Sequence, residues 1–301
     1  MRRARGWHTG LFAHWVARAS TFLLAAALPA AVALAEPADG TLPRIMSLNV
    51  CTDQLVMELA APGQIVSLSA LSDETHISFH RDRAVAYPKN RGIAEEIFVA
   101  RPDIVVTGAY SLHNTTQLLQ ALGVGVEVFD YTQTLDTIPG DIRRMGAVIG
   151  RTEIAEASAA AFEARLAALS RPVEVNAPTV LVYGQNGVVL GSGTLADTVI
   201  RAAGLRNLAA ERGIAGMAPY PLELLVADRP DIILTSQPYV DAPALADVIA
   251  RHPALVALPA VRRDDLIPPG AWSCGGPFTL EALEALRGLA DQIAAKGRLD
   301  G

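Results

Sequence analysis

The sequence predicts an α/β fold with two Rossmann-like lobes, each built on a parallel sheet, joined by a single long rigid helix. The first observation is a repeat: RPDIVVT at 101–107 returns as RPDIILT at 229–235. A long-period repeat in a chain of 301 residues indicates two similarly built lobes. The second observation is that strand-length apolar runs alternate with helical patterns in both halves, which is typical of parallel sheets wrapped by crossover helices.

The first 35 residues form a predicted signal peptide. Arg2, Arg3 and Arg5 precede an apolar run that ends in Ala33-Leu34-Ala35, and cleavage is expected after Ala35. The alternative is a transmembrane anchor. That alternative is weaker, because the run is shorter than the roughly 20 residues a spanning helix needs and Pro29 interrupts it.

The mature chain is acidic. Removing residues 1–35 takes away four arginines and no acid, which leaves 21 basic and 31 acidic side chains and a net charge of −10. No basic stripe remains for a phosphate backbone, so a nucleic-acid partner is excluded from the prediction. We expect a soluble monomer in the periplasm.

The first lobe is predicted over residues 44–136. Arg44–Leu48 is a short apolar run that predicts a buried strand, and Asn49 can cap the helix that follows it. The other predicted elements are a strand at Ile65–Leu68, a helix at Glu95–Ala100, the repeat strand Ile104–Thr107, a helix at Thr115–Leu122 and a strand at Val126–Phe129.

The second lobe is predicted over residues 178–297 and repeats this order. Its predicted elements are a strand at Val180–Tyr183, helices at Leu195–Ala203 and Glu223–Ala227, the repeat strand Ile232–Thr235, a helix at Pro243–Arg251 and a last strand at Leu266–Ile267. In both repeat copies, proline stops the short helix, aspartate sits in the turn, and branched apolar residues form a strand buried on both faces.

A stiff connector is predicted between the lobes, over residues 141–170. Apolar residues recur there at helical spacing from Ile142 to Leu169 without a proline. A continuous helix would be about 45 Å long, and Gly146 and Gly150 are positions where it could bend. A flexible hinge would instead be rich in glycine and serine.

Several stretches, taken together in this order and spacing, resemble one family of proteins. They are RIMSLNVCTDQL near residue 44, RPDIVVTG, GTLADTVIRAAGLRNLA, PYPLELLVADRPDIILTS and HPALVALPAVRRDDLIPPGAWSCGGP. From Arg44 to about Ala295, the chain resembles the substrate-binding proteins of ABC importers, in the family that binds vitamin B12 and ferric siderophores. The resemblance implies the class III architecture, in which a rigid helix joins two lobes.

The resemblance also implies a function. Such proteins hold a ligand between their lobes and deliver it to permease subunits in the inner membrane, without catalysis or a cofactor of their own. The expected cargo is a ferric siderophore, a cobalamin-like corrinoid or haem. The resemblance places one permease-docking acid on each lobe, at Glu95 and Glu223, and Glu96 could substitute for Glu95. Alternatively, both acids merely favour the first turn of a helix.

Ligand contacts are predicted in loops after the carboxyl ends of the strands, where open α/β sheets bind ligands. In the first lobe these loops are Asn49–Asp53, Ser69–His76 and Gly108–His113; in the second they are Gly184–Gly187, Ser236–Tyr239 and Ala271–Gly276. The aromatic side chains in these loops can cover a large planar ligand. The candidate contacts are Asn49, Cys51, Tyr110, Tyr239, Trp272, Ser273 and Cys274.

The two cysteines leave three possibilities open. An even number in an exported protein suggests a disulfide, which would here join the two lobes. Cys51 and Cys274 could also be inert free thiols, or soft ligands to the metal of the cargo. A bond requires Cα atoms within about 7 Å.

Two other functions compete. His76 and His80 lie four residues apart and, with His113 and Asp73 or Glu74, could bind a bare divalent metal ion. Ser192 between two glycines resembles the nucleophile of an exported hydrolase. However, the run Val189-Leu190-Gly191-Ser192-Gly193 lacks the first glycine of G-x-S-x-G, so the motif is incomplete. Catalysis is the weaker hypothesis.

Overall fold

The computed structural model describes residues 42–130, 133–235, 252–263 and 265–297. The predicted signal peptide, the predicted helix Pro243–Arg251 and Tyr239 lie outside these residues. None of the described helices combines the length and the apolar character needed to cross a membrane.

The first lobe is a five-stranded parallel sheet in the order β3-β2-β1-β4-β5. Its strands are β1 (Ile45–Ser47), β2 (Ile65–Ser69), β3 (Lys89–Asn90), β4 (Ile104–Gly108) and β5 (Val126–Phe129). Its helices are α1 (Val50–Leu59), α2 (Arg81–Ala84), α3 (Ala94–Ala100) and α4 (His113–Ala121). The central strand β1 is buried along its whole length, as its apolar sequence predicts.

The second lobe is a mixed sheet in the order β11-β10-β6-β7-β9, with β8 also paired to β6. Its strands are β6 (Thr179–Tyr183), β7 (Val188–Leu190), β8 (Arg206–Asn207), β9 (Met217–Pro219), β10 (Ile232–Thr235) and β11 (Val261–Arg263). Its helices are α7 (Leu195–Ala202), α8 (Leu208–Glu211), α9 (Leu222–Asp228), α10 (Pro253–Val256) and α11 (Thr279–Gly297).

Two of the differences between the second sheet and the prediction have a clear physical cause. Strand β7 runs antiparallel to β6, because only the short turn after Tyr183 separates them and a parallel partner would need a crossover connection. The predicted strand at Leu266–Ile267 was wrong: the edge strand is β11, which pairs parallel with β10. Two prolines follow Ile267, and proline cannot donate to a sheet.

The two copies of the repeat form the same joint in both lobes. Arg101 and Arg229 end helices α3 and α9 in the left-handed conformation, with φ of 47° and 48°. The aspartate two residues later then accepts a hydrogen bond from the chain that enters the neighbouring central strand. Asp103 accepts from the backbone nitrogen of Arg44 at 2.7 Å, and Asp231 accepts from that of Thr179 at 2.8 Å.

The connector is divided into two helices, α5 (Ile138–Val148) and α6 (Thr152–Leu169), instead of the continuous helix predicted over 141–170. Gly150 breaks the helix with φ +74°, and the backbone nitrogen of Arg151 donates to the carbonyl of Gly146 at 2.7 Å. A methyl group on Gly146 would lie 2.0 Å from Cβ of Ala155. The helices therefore fold back on each other in close contact, and the connector is a helical hairpin.

One apolar cluster runs through both lobes and the connector. It includes Ile45 of β1, Met145 of α5, Val180 of β6 and Leu283 of α11, all fully buried. Helix α11 is also joined to α6 by ion pairs between Arg165 and two glutamates of α11. Because interiors are close-packed, a shared core of this kind resists rotation of one lobe against the other.

Candidate functional site: a cavity between the two lobes

A cavity of about 950 Å³ lies at the carboxyl ends of the second sheet. Val182 of β6 and Leu234 and Thr235 of β10 form its floor, where ligands of open α/β sheets bind. The turn after β6, the start of α7 and the segment from Arg263 to Ser273 form most of the walls. The first lobe contributes His76, Ile77 and Gln133.

We call the segment Pro268–Phe278 the bridging loop, because it follows the second sheet in sequence but contacts the first lobe. The backbone nitrogen of Gly275 donates to Oε1 of Gln133 at 2.6 Å. The ring of Phe278 stacks on that of Phe79, with centroids 5.1 Å apart. Gly270, at φ +78°, approaches the backbone of Phe79 so closely that an added Cβ would lie 2.3 Å from its nitrogen. Only glycine satisfies both conditions at this position.

The two cysteines form a disulfide, with Cα atoms 5.1 Å apart. Cys51 lies in the first turn of α1, and Cys274 is buried in the bridging loop. Of the three possibilities that the sequence left open, the structure shows the covalent one. Because both sulfurs are bonded to each other, neither is available as a thiolate ligand to a metal.

The predicted ligand residues separate into two groups. Trp272 and Ser273 line the cavity. Asn49 caps α1 by accepting from the backbone nitrogen of Cys51 at 2.9 Å, and its amide donates to Ser111 at 2.6 Å. Tyr110 is 80% exposed and is not among the residues that line the cavity, and neither are Cys51 and Cys274.

Other lining residues were not predicted as contacts of a chelate, although the loops that carry several of them were. Gln185 and Asn186 lie in the predicted loop after β6, and His76 ends the predicted loop after β2. Gln133 and Thr194 were missed altogether. Thr194 caps α7 by accepting from the backbone nitrogen of Asp197. A threonine in this capping position could have indicated where α7 begins, and this helix start is part of the cavity wall.

The cavity is mainly apolar and amide-lined. Among the described residues that line it there is no aspartate or glutamate, and the basic side chains are His76 and Arg263. Pockets of this kind, in which a few polar groups orient a largely apolar ligand, are typical of sites for organic molecules. The lining suits a neutral or weakly anionic ligand.

The three histidines of the metal-ion alternative do not come together as a site. His80 is nearly buried, contacts the carboxylate of Glu58, and packs edge-on against Phe278. Nε2 of His113 lies 3.0 Å from the side-chain amide of Gln117. Over the part of the chain that the structure describes, no group of three or more histidine, cysteine, aspartate or glutamate side chains could hold a metal ion.

A buried carboxylate lies at the carboxyl end of the first sheet. Asp53 of α1 is fully buried and accepts hydrogen bonds from the backbone nitrogen and the hydroxyl of Ser69, at the end of β2. Burial raises the pKa of Asp53 to about 6, and the hydrogen bonds from Ser47 and Ser69 oppose this rise without cancelling it. These bonds join α1, which carries Cys51, to the central strands.

The two predicted docking acids are exposed and lie in the first turns of α3 and α9. Each helix follows the carboxyl end of a strand, α3 after β3 and α9 after β9. Each acid therefore lies at the end of its own sheet where ligands of open α/β folds bind. Burial, and then the charge of Glu223, raise the pKa of Tyr183, which places this carboxylate near the end of β6. Glu96 is engaged in the fold, because it accepts from the backbone nitrogen of Arg91 at 2.8 Å.

The comparison with known protein families decides the class of protein. A family model described as periplasmic binding protein matches residues 45–268, which is most of the chain. This chain belongs to the periplasmic binding protein family. The resemblance predicted from the motifs is thereby confirmed.

Relatives of this periplasmic binding protein differ in their ligands. It is 25% identical over 216 residues to the cobalamin-binding protein of Halobacterium salinarum (strain ATCC 29341 / DSM 671 / R1), covering 69% of this chain and 58% of that protein. The periplasmic heme-binding protein RhuT from Roseiflexus sp. RS-1, in apo form, matches with a TM-score of 0.65 and 26% identity over 82% of this chain and 96% of that chain.

The fold of periplasmic vitamin B12-binding protein BtuF of Vibrio cholerae is also similar. Its TM-score is 0.63 at 20% identity, covering 85% of this chain and 98% of that chain. The predicted fold class, two α/β lobes in the class III arrangement, is confirmed by these structures.

The periplasmic binding protein family consists of binding proteins and not enzymes. The local structure around Ser192 agrees with a scaffolding role. Its hydroxyl donates to the carbonyl of Ile214 at 3.2 Å, and Gly191 packs directly against the same carbonyl. Ser192 is therefore part of the joint between two segments of the second lobe.

Proposed function

We propose that this periplasmic binding protein captures a metal chelate in the cavity between its lobes and delivers it to an ABC importer. The observation that carries the proposal is the cavity itself, about 950 Å³ at the carboxyl ends of the second sheet, with Trp272 in its wall. Such a volume is at the upper end of the range for small-molecule sites, which suits a macrocyclic chelate better than a sugar or an amino acid.

The lining narrows the class of chelate. A ferric catecholate is highly anionic and would require several arginines, whereas Arg263 is the arginine among the described lining residues. A corrinoid, a haem or a weakly charged ferric siderophore fits the apolar and amide surface better. The relatives that bind cobalamin and haem agree with this range.

Export, delivery and the absence of catalysis belong to the same proposal. Residues 1–35 act as a signal peptide that is removed after Ala35, and the mature chain works in the periplasm as a monomer. Glu95 and Glu223 meet positive charges on the permease, one from each lobe, so that charge pairing sets the orientation of docking. The chain has no cofactor of its own, and the metal enters as part of the cargo.

Native mass spectrometry of the mature protein, residues 36–301, tests the capture step. After incubation with haemin, cyanocobalamin and a ferric hydroxamate in turn, the expected result is one intact, unmodified chelate per chain. Binding of naked Zn²⁺ or Mn²⁺ in place of any chelate would overturn the proposal, and so would a chemically altered product.

A charge-reversed variant, Glu95→Arg/Glu223→Arg, tests delivery. It should bind the chelate normally but fail to support its uptake by cells that depend on this chain. The matched control is Glu153→Arg, because Glu153 is also an exposed acid in the first turn of a helix, α6. Equal uptake with the double variant and the control would show that the two acids serve only their helices.

A further inference from the structure

The wall of the cavity that carries Trp272 is attached to the first lobe, although it follows the second sheet in sequence. In the bridging loop, Trp272 and Ser273 line the cavity, and Cys274 is bonded to Cys51 of α1. Two further contacts with the first lobe follow Cys274 in sequence. They are the hydrogen bond from Gly275 to Gln133 and the stacking of Phe278 on Phe79. The covalent bond is thus adjacent in sequence to Ser273, and the close approach of Gly270 to Phe79 lies on the other side of Trp272.

We infer that the Cys51–Cys274 disulfide is a positioning element of the site, which holds Trp272 and Ser273 in the cavity wall before any ligand arrives. The bond does not touch the ligand. It acts through the backbone of the bridging loop, and its consequence for cargo rests on the proposed function.

The composition of the loop explains why a covalent bond is needed there. Gly270, Gly275 and Gly276 flank the two cavity residues, and glycine loses more conformational freedom on ordering than any other residue. The other contacts of the loop are noncovalent, among them the hydrogen bond from Gly275 to Gln133 and the ring contact of Phe278. A glycine-rich loop held by such contacts alone would exchange among several conformations. Cys274 is 1% exposed, so the bond anchors the loop from beneath, where it cannot interfere with a ligand.

The other end of the bond is itself fixed. Cys51 lies in the first turn of α1, directly after the cap at Asn49 and two residues before the buried Asp53. Asp53 is hydrogen-bonded to Ser69 of β2, and Asn49 is bonded to Ser111 beyond β4. The disulfide therefore connects the loop to a helix start that is hydrogen-bonded to β2 and to the segment after β4.

A purely stabilising disulfide would have a different signature. It would change the free energy of unfolding of the whole chain and leave the local dynamics of the loop unchanged in the folded state. A positioning disulfide changes the loop first. Trp272 reports on this directly, because the other two tryptophans, Trp7 and Trp15, lie in the predicted signal peptide and are absent from the mature chain.

The test compares the mature, ligand-free wild type with Cys51→Ala/Cys274→Ala under conditions where both are folded by circular dichroism. Hydrogen–deuterium exchange of peptides that cover 268–276 should rise roughly tenfold in the variant, and acrylamide should quench Trp272 more strongly. Phe278→Leu, which keeps the disulfide and lies outside the cavity lining, should raise loop exchange by a smaller factor.

Leu119→Ala is the matched control. Leu119 is fully buried in the first lobe, so its truncation lowers global stability without contact to the loop. It should leave exchange over 268–276 unchanged. Unchanged loop exchange in the cysteine variant would overturn the inference, and so would a uniform rise over the whole chain in both variants.

A second measurement links the loop to the cargo. Whichever of haemin, cyanocobalamin and the ferric hydroxamate binds the wild type should dissociate from the cysteine variant at least roughly fivefold faster, because binding must then order the loop. An unchanged dissociation rate in a variant with a mobile loop would overturn the positioning role. If none of the chelates binds the wild type, the proposed function fails, and the exchange experiment on the ligand-free protein still decides the inference.

Discussion

Removing the disulfide is expected to lower the free energy of unfolding of this protein, by an amount set by the number of residues between the two cysteines. Cys51 and Cys274 are 223 residues apart in sequence, so the bond closes most of the mature chain into one loop. In the chain-entropy model, a cross-link over that length removes enough freedom from the unfolded state to stabilise the fold by about 5 kcal/mol. Few single contacts in a domain contribute as much.

The expected change in melting temperature follows from the size of the protein. In chains of this size, about 1 kcal/mol corresponds to roughly 2–4 °C, so loss of the bond should lower the melting temperature by about 10–20 °C. The assay is differential scanning calorimetry of the mature protein, oxidised and reduced with dithiothreitol, together with Cys51→Ala/Cys274→Ala. The reduced wild type and the double variant should melt at about the same temperature.

The shared apolar core leads to a second expected result of the same calorimetry experiment. Because one cluster includes residues of both lobes, the reduced protein should still unfold in a single transition. Two separated transitions would show that the disulfide alone couples the lobes. A fall of less than about 3 °C would refute the entropic reasoning itself, since the long loop would then not constrain the unfolded chain.

Two further predictions concern the fold around the site. Burial raises the pKa of Asp53 to about 6 from 3.8, so the folded state holds this proton more tightly than the unfolded state. The contribution of Asp53 to the free energy of unfolding is therefore most favourable below pH 4, and it falls by about 3 kcal/mol as pH rises through 6. Asp53→Asn should remove this part of the profile, and urea midpoints of the two proteins that stay parallel from pH 4 to 8 would contradict it. Gly146→Ala should destabilise the protein by about 1–3 kcal/mol because the new methyl meets Ala155, whereas Gly140→Ala, in open space on the same helix, should stabilise it by about 0.5–1 kcal/mol. Thermal melts that show equal effects of the two substitutions would refute the close helix contact.

Most of the fold could be predicted because its signals are local. Val126–Phe129 and Ile232–Thr235 were predicted to the residue, since each is rich in branched apolar or aromatic residues and begins directly after a glycine or an aspartate. The cap at Asn49 was also predicted correctly. The break in the connector was harder to place, because apolar periodicity continues across Gly150 and the hairpin depends on tertiary contacts, such as that between Gly146 and Ala155 and the ion pairs of Arg143.

The candidate site could be predicted only as a set of loops. The rule that ligands lie at the carboxyl ends of strands selects the loops that carry Gln185, Trp272 and His76, but it does not say which side chains face the cavity. Asn49 was expected to contact ligand, and its hydrogen bonds instead serve the cap and the link to Ser111. Such choices depend on tertiary neighbours that no local pattern records.

The central claim is that the cavity takes up an intact metal chelate, and Trp272 offers the most direct test. In the mature chain this single tryptophan lies in the cavity wall, so a bound haem or corrinoid should quench its emission by close contact and energy transfer. Titration with haemin, cyanocobalamin and a ferric hydroxamate should give saturable quenching at one equivalent for at least one of them, and Trp272→Phe should retain binding by absorbance but lose the signal. The account would be contradicted if none of the three chelates gave saturable quenching at concentrations up to about 10 μM. It would also be contradicted if a chelate bound by absorbance and left the emission of Trp272 unchanged.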